Sequence, residues 1–413
     1  MKKISFVFCA ALAAPVFAAD YPDLPPLAQV QTALNNNLNV QTAQTGVKLE
    51  QANQRRWKAG PHEFNLRLGT ARRNVISTEQ QLKEWDVALE RPIRLPNKML
   101  LDSDIGAAGV SRAEYALGDA RHETSRVLLH LWFNWQREQA QTRQWQQQVE
   151  ILQQQAQMAE KRMHAGDAPR MELNQAQAAV AQATVALQQA KVRARLAADD
   201  LARLFPGLVL PDSTEQGVPQ SIAQGLPYWK EHVLADNHEL GMVQSDSQQL
   251  RLIARRSSAD RLADPTIGLR YSNEMGGNER VTGVYLTVPF SFGVRGAIAE
   301  GAAQQAEISA EKEAAVQRRL EHDIASTYFL ATGSYETWQQ AHEAAASVRL
   351  NAELVSRAYS LGESSLSDVL SARRLALESS LAETMSQLDA NETRYRLLLD
   401  AHQLWPLEEH QNR

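Results

Sequence analysis

The sequence predicts a mainly α-helical protein with a small β part, in which one helix–strand–strand–helix–helix unit occurs twice. A glycine turn at Gly166 separates two long helical runs, and an equivalent turn at Gly362 follows about 196 residues later. The two halves also begin alike, since residues 33–37 and 233–237 each contain alanine and leucine and end in asparagine. A period this long indicates two copies of one large unit rather than a solenoid of short repeats.

The N-terminus predicts a secretory signal peptide at residues 1–18. A basic pair precedes a short apolar run, and small residues then allow cleavage after Ala18, or alternatively after Ala19. The chain's one cysteine, Cys9, falls inside this segment. The mature chain is therefore expected to contain no disulfide and no thiolate metal site. The net charge of −5 argues against a nucleic-acid partner.

The first repeat is expected to occupy residues 19–205. Apolar residues at helical spacing or in strict alternation predict its elements. In chain order these are a helix at 27–58, strands at about 62–74 and 84–95, a long helix at 99–163, and a hairpin tip at about 164–169. The last helix repeats apolar residues at steps of three and four, which predicts a tight helix–helix seam because most of them are alanine. The seam runs through Leu173, Ala176, Val180, Ala183, Leu187, Ala190, Ala194, Ala197, Leu201 and Leu204.

The second repeat is expected at residues 227–403, after a linker at 206–226 and before a short tail at 404–413. Its elements follow the same order as those of the first repeat. They are a helix at 227–260, strands at about 265–274 and 280–292, a long helix at 296–360, and a hairpin tip at about 361–366. Its seam is looser, because Thr384 and Asn391 stand at positions where the first copy has apolar residues.

The four predicted strands have one apolar face and cannot close a sheet within one chain. Strands of about ten residues with aromatic residues near their ends suit the lipid-facing wall of a membrane barrel. A small soluble antiparallel sheet is the alternative. Open strand edges are not tolerated in a membrane, so the first reading requires an oligomer with cyclic symmetry.

Both hairpin tips carry helix-ending and helix-starting signals. Gly166 and Gly362 suit the left-handed conformation that ends a helix. Asp167 with Pro169 suits the start of the next helix in the first copy, and Ser365 with Asp368 suits the start in the second. We expect both tips at one end of the molecule and the strands at the other.

With these features in this order, the chain resembles the TolC-like outer-membrane efflux protein family over essentially its whole mature length. The doubled tips carry the resemblance, with Glu172 six residues after one glycine and Asp368 six residues after the other. Residues 89–98 resemble the second-strand exit of the CzcC-like, heavy-metal branch. The resemblance implies a homotrimer, with a twelve-strand β-barrel in outer-membrane lipid and an α-barrel tunnel across the periplasm. It also implies docking of the tips to a periplasmic membrane-fusion (adaptor) protein and an inner-membrane RND-type pump.

The resemblance assigns roles to tip residues. Asp368 matches the acidic ring of the pore constriction, and Ser371 stands where the best-known member has a second acid. The alternative for Asp368 is a helix-capping role toward Ser365. Tyr359 and Glu172 match positions that latch a closed tip, and the two tip glycines belong to the docking surface. Ser364 and Gln387 stand where the latch has basic partners, so any closure of this tip needs different contacts.

No residue pattern suggests an enzyme, a cofactor or a resident metal. The sequence has no nucleophile elbow, phosphate loop or HExxH helix, and no two histidines are spaced three or four apart. His164 at the first tip is either solvated or in contact with a metal ion. The aromatic residues Trp132, Phe133, Trp135 and Trp145 are expected to pack between helices.

The expected function is a passive exit duct, the outer-membrane part of a tripartite efflux system, with divalent heavy-metal cations as cargo. A duct for drugs or organic solutes, or for type I secretion, is the alternative within this class. A soluble periplasmic coiled-coil adaptor is the alternative from another class.

Overall fold

The computed structural model describes residues 21–212, 216–290 and 293–405, and most of them are helical. The predicted signal peptide at 1–18 and nearly all of the predicted tail at 404–413 lie outside the described residues. The first repeat contains α1 (Leu27–Asn35), α2 (Leu38–Ala59), β1 (Asn65–Val75), β2 (Gln80–Pro92), α3 (Pro96–Ala165) and α4 (Arg170–Leu204). The second contains α5 (Leu226–Ala235), α6 (His238–Ala259), β3 (Thr266–Glu274), a 3-10 turn (Met275–Gly277), β4 (Glu279–Thr287), α7 (Val294–Ser360) and α8 (Leu366–Asp400).

The predicted first helix of each repeat is in fact two helices. Asn37 lies between α1 and α2 in an extended conformation, and its side chain accepts a hydrogen bond from the amide of Asn39 at 2.9 Å. Asn237 does the same between α5 and α6, accepting from the amide of Leu240 at 2.8 Å. Asparagine favours this N-cap position because its side chain satisfies an unpaired amide of the new helix. The continuous helices predicted at 27–58 and 227–260 were therefore wrong at these asparagines.

The four strands form one antiparallel sheet in the order β1-β2-β3-β4. β2 pairs with β3, so the central ladder joins the two repeats. β2 begins at Gln80, earlier than predicted. The prediction missed its first residues because they lack apolar alternation and face polar partners such as Arg72. β4 ends at Thr287, well before the predicted 292. Pro289 follows, and proline has no amide to continue the ladder.

The register places apolar residues in rows across one face of the sheet. One row contains Leu66, Leu89, Leu269 and Val284. These side chains are 63%, 42%, 57% and 73% exposed in the single chain. The opposite face is polar, with the Tyr285 hydroxyl donating to Glu90 at 2.7 Å. The predicted alternation is confirmed, and the residues that the structure describes leave the apolar face uncovered.

Contacts divide the chain into two units, and each contains parts of both repeats. One unit holds the described residues within Met1–Ala33, Arg126–Ala223 and Phe329–Arg413, and it includes both hairpin tips. The other holds Leu34–Ser125 and the described residues within Gln224–Tyr328, and it includes the sheet. Within the described residues, no helix combines the length and the apolar character needed to cross a bilayer.

The core of the tip-containing unit follows the predicted seam along α4. Its alanines and its leucines at 173 and 201 are buried, and Trp132 and Phe133 on α3 are at most 1% exposed. Trp135 is buried too, and Trp145 packs at the edge of a cluster around Leu152. Leu204 was predicted to continue the seam but is 51% exposed, because the helix ends there.

Candidate functional site at the hairpin tips

The two helix ends at the tips have the same geometry. Gly166 has φ of +83° and Gly362 has φ of +80°, a region that side-chain-bearing residues rarely adopt. After each glycine, the next amide returns to the helix, from Asp167 to the Arg162 carbonyl and from Glu363 to the Ala358 carbonyl, both at 2.9 Å. These are Schellman helix ends in both copies. The turn is therefore duplicated in atomic detail as well as in sequence.

The helix starts at the two tips differ. Ser365 begins α8 with a complete capping box, because its hydroxyl accepts from the Asp368 amide at 3.1 Å and the Asp368 carboxylate accepts from the Ser365 amide at 3.1 Å. At the first tip the cap position of α4 is Pro169, which makes no side-chain hydrogen bond. Asp167 was expected to cap α4 but instead uses its amide to close the preceding turn.

The capping box fixes the charge of Asp368. Its carboxylate also accepts from the hydroxyls of Ser365 at 2.7 Å and Ser364 at 3.3 Å. These hydrogen bonds, led by that of the Ser365 hydroxyl, lower the pKa of the Asp368 carboxyl below its ordinary value. The side chain is exposed, so an ionised carboxylate projects into solvent from the second tip.

The two tips are held together by apolar packing and by polar contacts. Leu366 at the start of α8 is 1% exposed and packs against Ala159 of α3 and Ala176 of α4. Beside it, the Tyr359 hydroxyl donates to the Glu172 carboxylate at 3.1 Å. The structure therefore brings together the two residues that the resemblance assigned to the latch.

Sequence reasoning missed a basic residue at this contact. The Arg162 guanidinium carbon lies 4.9 Å from the centre of the Tyr359 ring, a cation–π geometry. Burial and the Glu172 hydrogen bond raise the pKa of the Tyr359 hydroxyl, and Arg162 acts in the opposite direction. The resemblance implies basic latch partners at positions 364 and 387, which are serine and glutamine here. Arg162 belongs to the first hairpin, so a comparison at those two positions could not identify it.

Ser371 lies one turn beyond Asp368 and is exposed. With Ser367 and Leu370 it lines a groove of about 460 Å³ that continues along α8 beside Trp145 and Leu152. The groove has no cluster of ionisable groups facing Ser371 among its lining residues.

The tip histidine has no metal-binding neighbours. His164 is exposed. Among residues 21–212, 216–290 and 293–405, no three histidine, cysteine or acidic side chains are placed to hold a metal ion together.

A polar cluster in the same unit explains one irregularity of the second seam. Asn391 is 2% exposed, and its amide donates to the Asp23 carboxylate at 3.1 Å and to the Gly217 carbonyl at 2.7 Å. The Tyr395 hydroxyl donates to the other Asp23 oxygen at 2.7 Å. Burial raises the pKa of the Asp23 carboxyl despite these bonds. Asn391 therefore attaches the N-terminal segment and the linker to α8.

An ion-pair network in the sheet-containing unit explains residues 89–98. Lys98 is fully buried and lies 2.9 Å from both Asp260 and Asp264. Asp102, 1% exposed, binds Arg94 at 2.9 Å and Arg256 at 2.6 Å. The charged residues after β2 are therefore structural ties between α3, α6 and the segment before β3.

Comparison with known proteins identifies the fold. No family model matches the chain, and no curated protein matches it in sequence. Its structure is similar to the CmeC outer membrane channel of Campylobacter jejuni, with a TM-score of 0.75 and 16% identity over 92% of this chain and 86% of that one. VceC, an outer membrane protein of Vibrio cholerae, gives 0.75 and 14% over 92% and 96%. CusC, whose structures concern transmembrane channel formation, gives 0.74 and 16% over 91% and 90%. The chain therefore has the TolC-like fold of outer-membrane channels.

Proposed function

We propose that this protein is the outer-membrane channel subunit of a tripartite efflux system and acts as a passive exit duct. The proposal rests on the combination of fold and surface. Outer-membrane proteins match the fold over more than nine-tenths of the chain, and the sheet of this fold has an uncovered apolar face in the described residues. In this proposal the duct catalyses no reaction, and a partner pump supplies the energy for transport.

The sheet supports a membrane-embedded homotrimer. The apolar face extends from Trp85 on β2 to Ile93, the residue after β2, and these eight steps of about 3.3 Å span about 26 Å, close to the apolar band of membrane barrels. In the described residues, β1 and β4 each have one edge without a strand partner. Pairing of β4 with β1 of the next copy around a three-fold axis gives a closed barrel of twelve strands in the outer membrane.

This proposal predicts where the mature protein is found and how it assembles. It is expected to fractionate with the outer membrane and to migrate as a trimer in mild detergent. A charged variant of the apolar face, Leu89→Arg, is expected to reduce outer-membrane recovery severely, at a cost of about 2–4 kcal/mol near the bilayer centre. The matched Lys83→Arg change beyond the apolar band should have no effect. Recovery of the wild type as a soluble periplasmic monomer would instead favour the coiled-coil adaptor.

The tips are the proposed docking and closing surface. Gly166 and Gly362 form the two matching turns that meet a periplasmic adaptor, which in turn joins an inner-membrane RND-type pump. The Tyr359–Glu172 hydrogen bond, with Arg162 against the tyrosine ring, supports a latch in which Arg162 supplies the positive charge.

The proposed constriction is a ring of three Asp368 carboxylates, with Ser371 one turn further along. The exposed position of Asp368 and the lowered pKa of its carboxyl support a charged ring as well as a helix cap. A ring of carboxylates favours cations. With the resemblance of residues 89–98 to the heavy-metal branch, it supports divalent heavy-metal cations as cargo.

Replacement of Asp368 by asparagine is expected to lower the cation preference of the channel in a planar bilayer by roughly twofold or more. Within one chain, hydrogen bonds from Ser365 and Ser364 lower the pKa of the Asp368 carboxyl, so the capping contribution to stability should be present from pH 7 to 5 and lost as the pH falls below about 4. Asp167→Asn at the first tip is the matched control and should change neither property. Unchanged selectivity in Asp368→Asn would leave Asp368 as a helix cap alone.

A further inference from the structure

Arg91 is a charged residue on the apolar face of the sheet. It pairs with Ile267 in the ladder and lies two positions from Leu89 on the same face. Its guanidinium carbon lies 4.7 Å from the centre of the Phe64 ring. At the other end of this face, Trp85 and Tyr271 lie 5.6 Å apart, so Arg91 lies in the half of the face nearest the helices, two positions before Ile93.

The charge of Arg91 is not neutralised within the described chain. Its Nε donates to the His62 carbonyl at 3.3 Å, and its two terminal nitrogens have no acceptor among the described residues. The neighbouring basic side chains already have acidic partners, because Arg94 binds Asp102 and His62 binds Asp264. Among the described residues at this end of the face, Arg91 is therefore a cation that is oriented by a contact yet keeps free donors.

The residues around Arg91 form an apolar pocket. Its volume is about 510 Å³. Phe64, Leu89, Ile93 and Ile267 line it, and each of these side chains is more than 40% exposed. An apolar surface of this kind accommodates a hydrocarbon chain, and its exposure in a single chain is removed when lipid covers it.

A second group of cations lies beside the pocket. Arg55, Arg56 and Lys58 are exposed on the last turns of α2. That helix end is held next to the β2 exit, because Arg94 donates to the Trp57 and Lys58 carbonyls at 2.9 and 2.7 Å. Glu63 is the exposed acid in the same stretch, and the three basic residues outnumber it, so the net charge of these four residues is positive. Clusters of basic residues at a membrane boundary attract anionic headgroups.

We propose that this pocket binds one anionic phospholipid. The acyl chain lies on the apolar floor, and the phosphate accepts hydrogen bonds from the two free guanidinium nitrogens of Arg91. Arginine suits this role because its planar fork matches phosphate geometry. The inference rests on the proposed membrane placement of the sheet, and it adds a specific lipid contact that fixes the depth of the sheet in the bilayer.

The test titrates the detergent-purified mature protein with dioleoyl phosphatidylglycerol and follows bound lipid by native mass spectrometry. Arg91→Gln is expected to weaken binding roughly tenfold, the loss of about one charge-assisted contact, while the trimer stays intact. Arg91→Lys should give an intermediate affinity. Lys83→Gln, which removes an exposed cation from the far end of the same strand, should bind lipid as the wild type does. Equal binding by the wild type and Arg91→Gln would overturn the proposal.

Two further probes identify the occupant. Dioleoylglycerol, which lacks the phosphate, and glycerol 1-phosphate, which lacks the acyl chains, should each bind much more weakly than the phospholipid. If glycerol 1-phosphate binds as well as the phospholipid, the site recognises a free phosphate ester and the lipid proposal is wrong. If the protein is a trimer in the outer membrane but lipid binding does not depend on Arg91, only this lipid site is wrong. If the protein is a soluble monomer, the proposed function itself is wrong.

Discussion

Replacement of Asp102 by asparagine is expected to lower the free energy of unfolding by about 3–5 kcal/mol, because it leaves the buried guanidinium of Arg94 without a carboxylate partner. The Asp102 side chain is 2% exposed and its two arginine partners are 10% and 12% exposed. Asparagine has the same shape but carries no charge, so Arg94 loses its carboxylate partner and Arg256 keeps only Asp260. Chemical denaturation of the detergent-solubilised protein, followed by circular dichroism, measures the change.

Asp246→Asn is the matched control in the same unit. Asp246 also pairs with an arginine, Arg112, but at 3.8 Å and with its side chain 42% exposed. Pairs that face solvent contribute about 0–1 kcal/mol, so this variant should unfold almost as the wild type does. Equal effects of the two substitutions would mean that the network around Asp102 is not a structural tie.

Replacement of Asn391 by leucine is expected to destabilise the protein by about 2–4 kcal/mol, although it restores the apolar seam of α8. The substitution removes the donor to the buried Asp23 carboxylate oxygen and one of two donors to the Gly217 carbonyl, which keeps Gln387. Thermal unfolding provides the measurement, and limited proteolysis should show earlier cleavage near the N-terminal segment and the linker.

Thr384→Leu is the control for Asn391→Leu, because it changes the equivalent seam position one heptad earlier on the same helix. Thr384 is only partly buried, and its main partner, Gln144, also contacts Ser380. The expected loss is therefore below about 1 kcal/mol. A stabilised Asn391→Leu protein would show that packing outweighs the polar cluster.

The sequence predicted the repeated architecture because its signals are local and occur twice. The turn glycines and the alternating strands follow from the conformational preferences of nearby residues, and the structure has them in both copies. The alanine seam is equally local and is buried along α4 of the first copy. The capping box at Ser365 was also predictable, since its two residues are three positions apart.

The contacts missed by sequence reasoning are those between distant parts of the chain. Asn391 read as a defect in a seam because its partner Asp23 lies 368 positions away. Lys98 read as part of a family motif because its acidic partners, Asp260 and Asp264, lie 162 and 166 positions away. The breaks at Asn37 and Asn237 were local, and the capping preference of asparagine would have revealed them.

The ladder between β2 and β3 sets the order in which the chain can fold. Each of the two hairpins closes over a short loop, but Leu89 meets Leu269 only after 180 further residues are available. Pairings with such long sequence separation form slowly. Until then, β2 and β3 each present an open edge of the same register to any neighbouring chain. Truncation after the first repeat should therefore yield a hairpin that associates with other copies, and newly made protein depends on protection of these edges during folding.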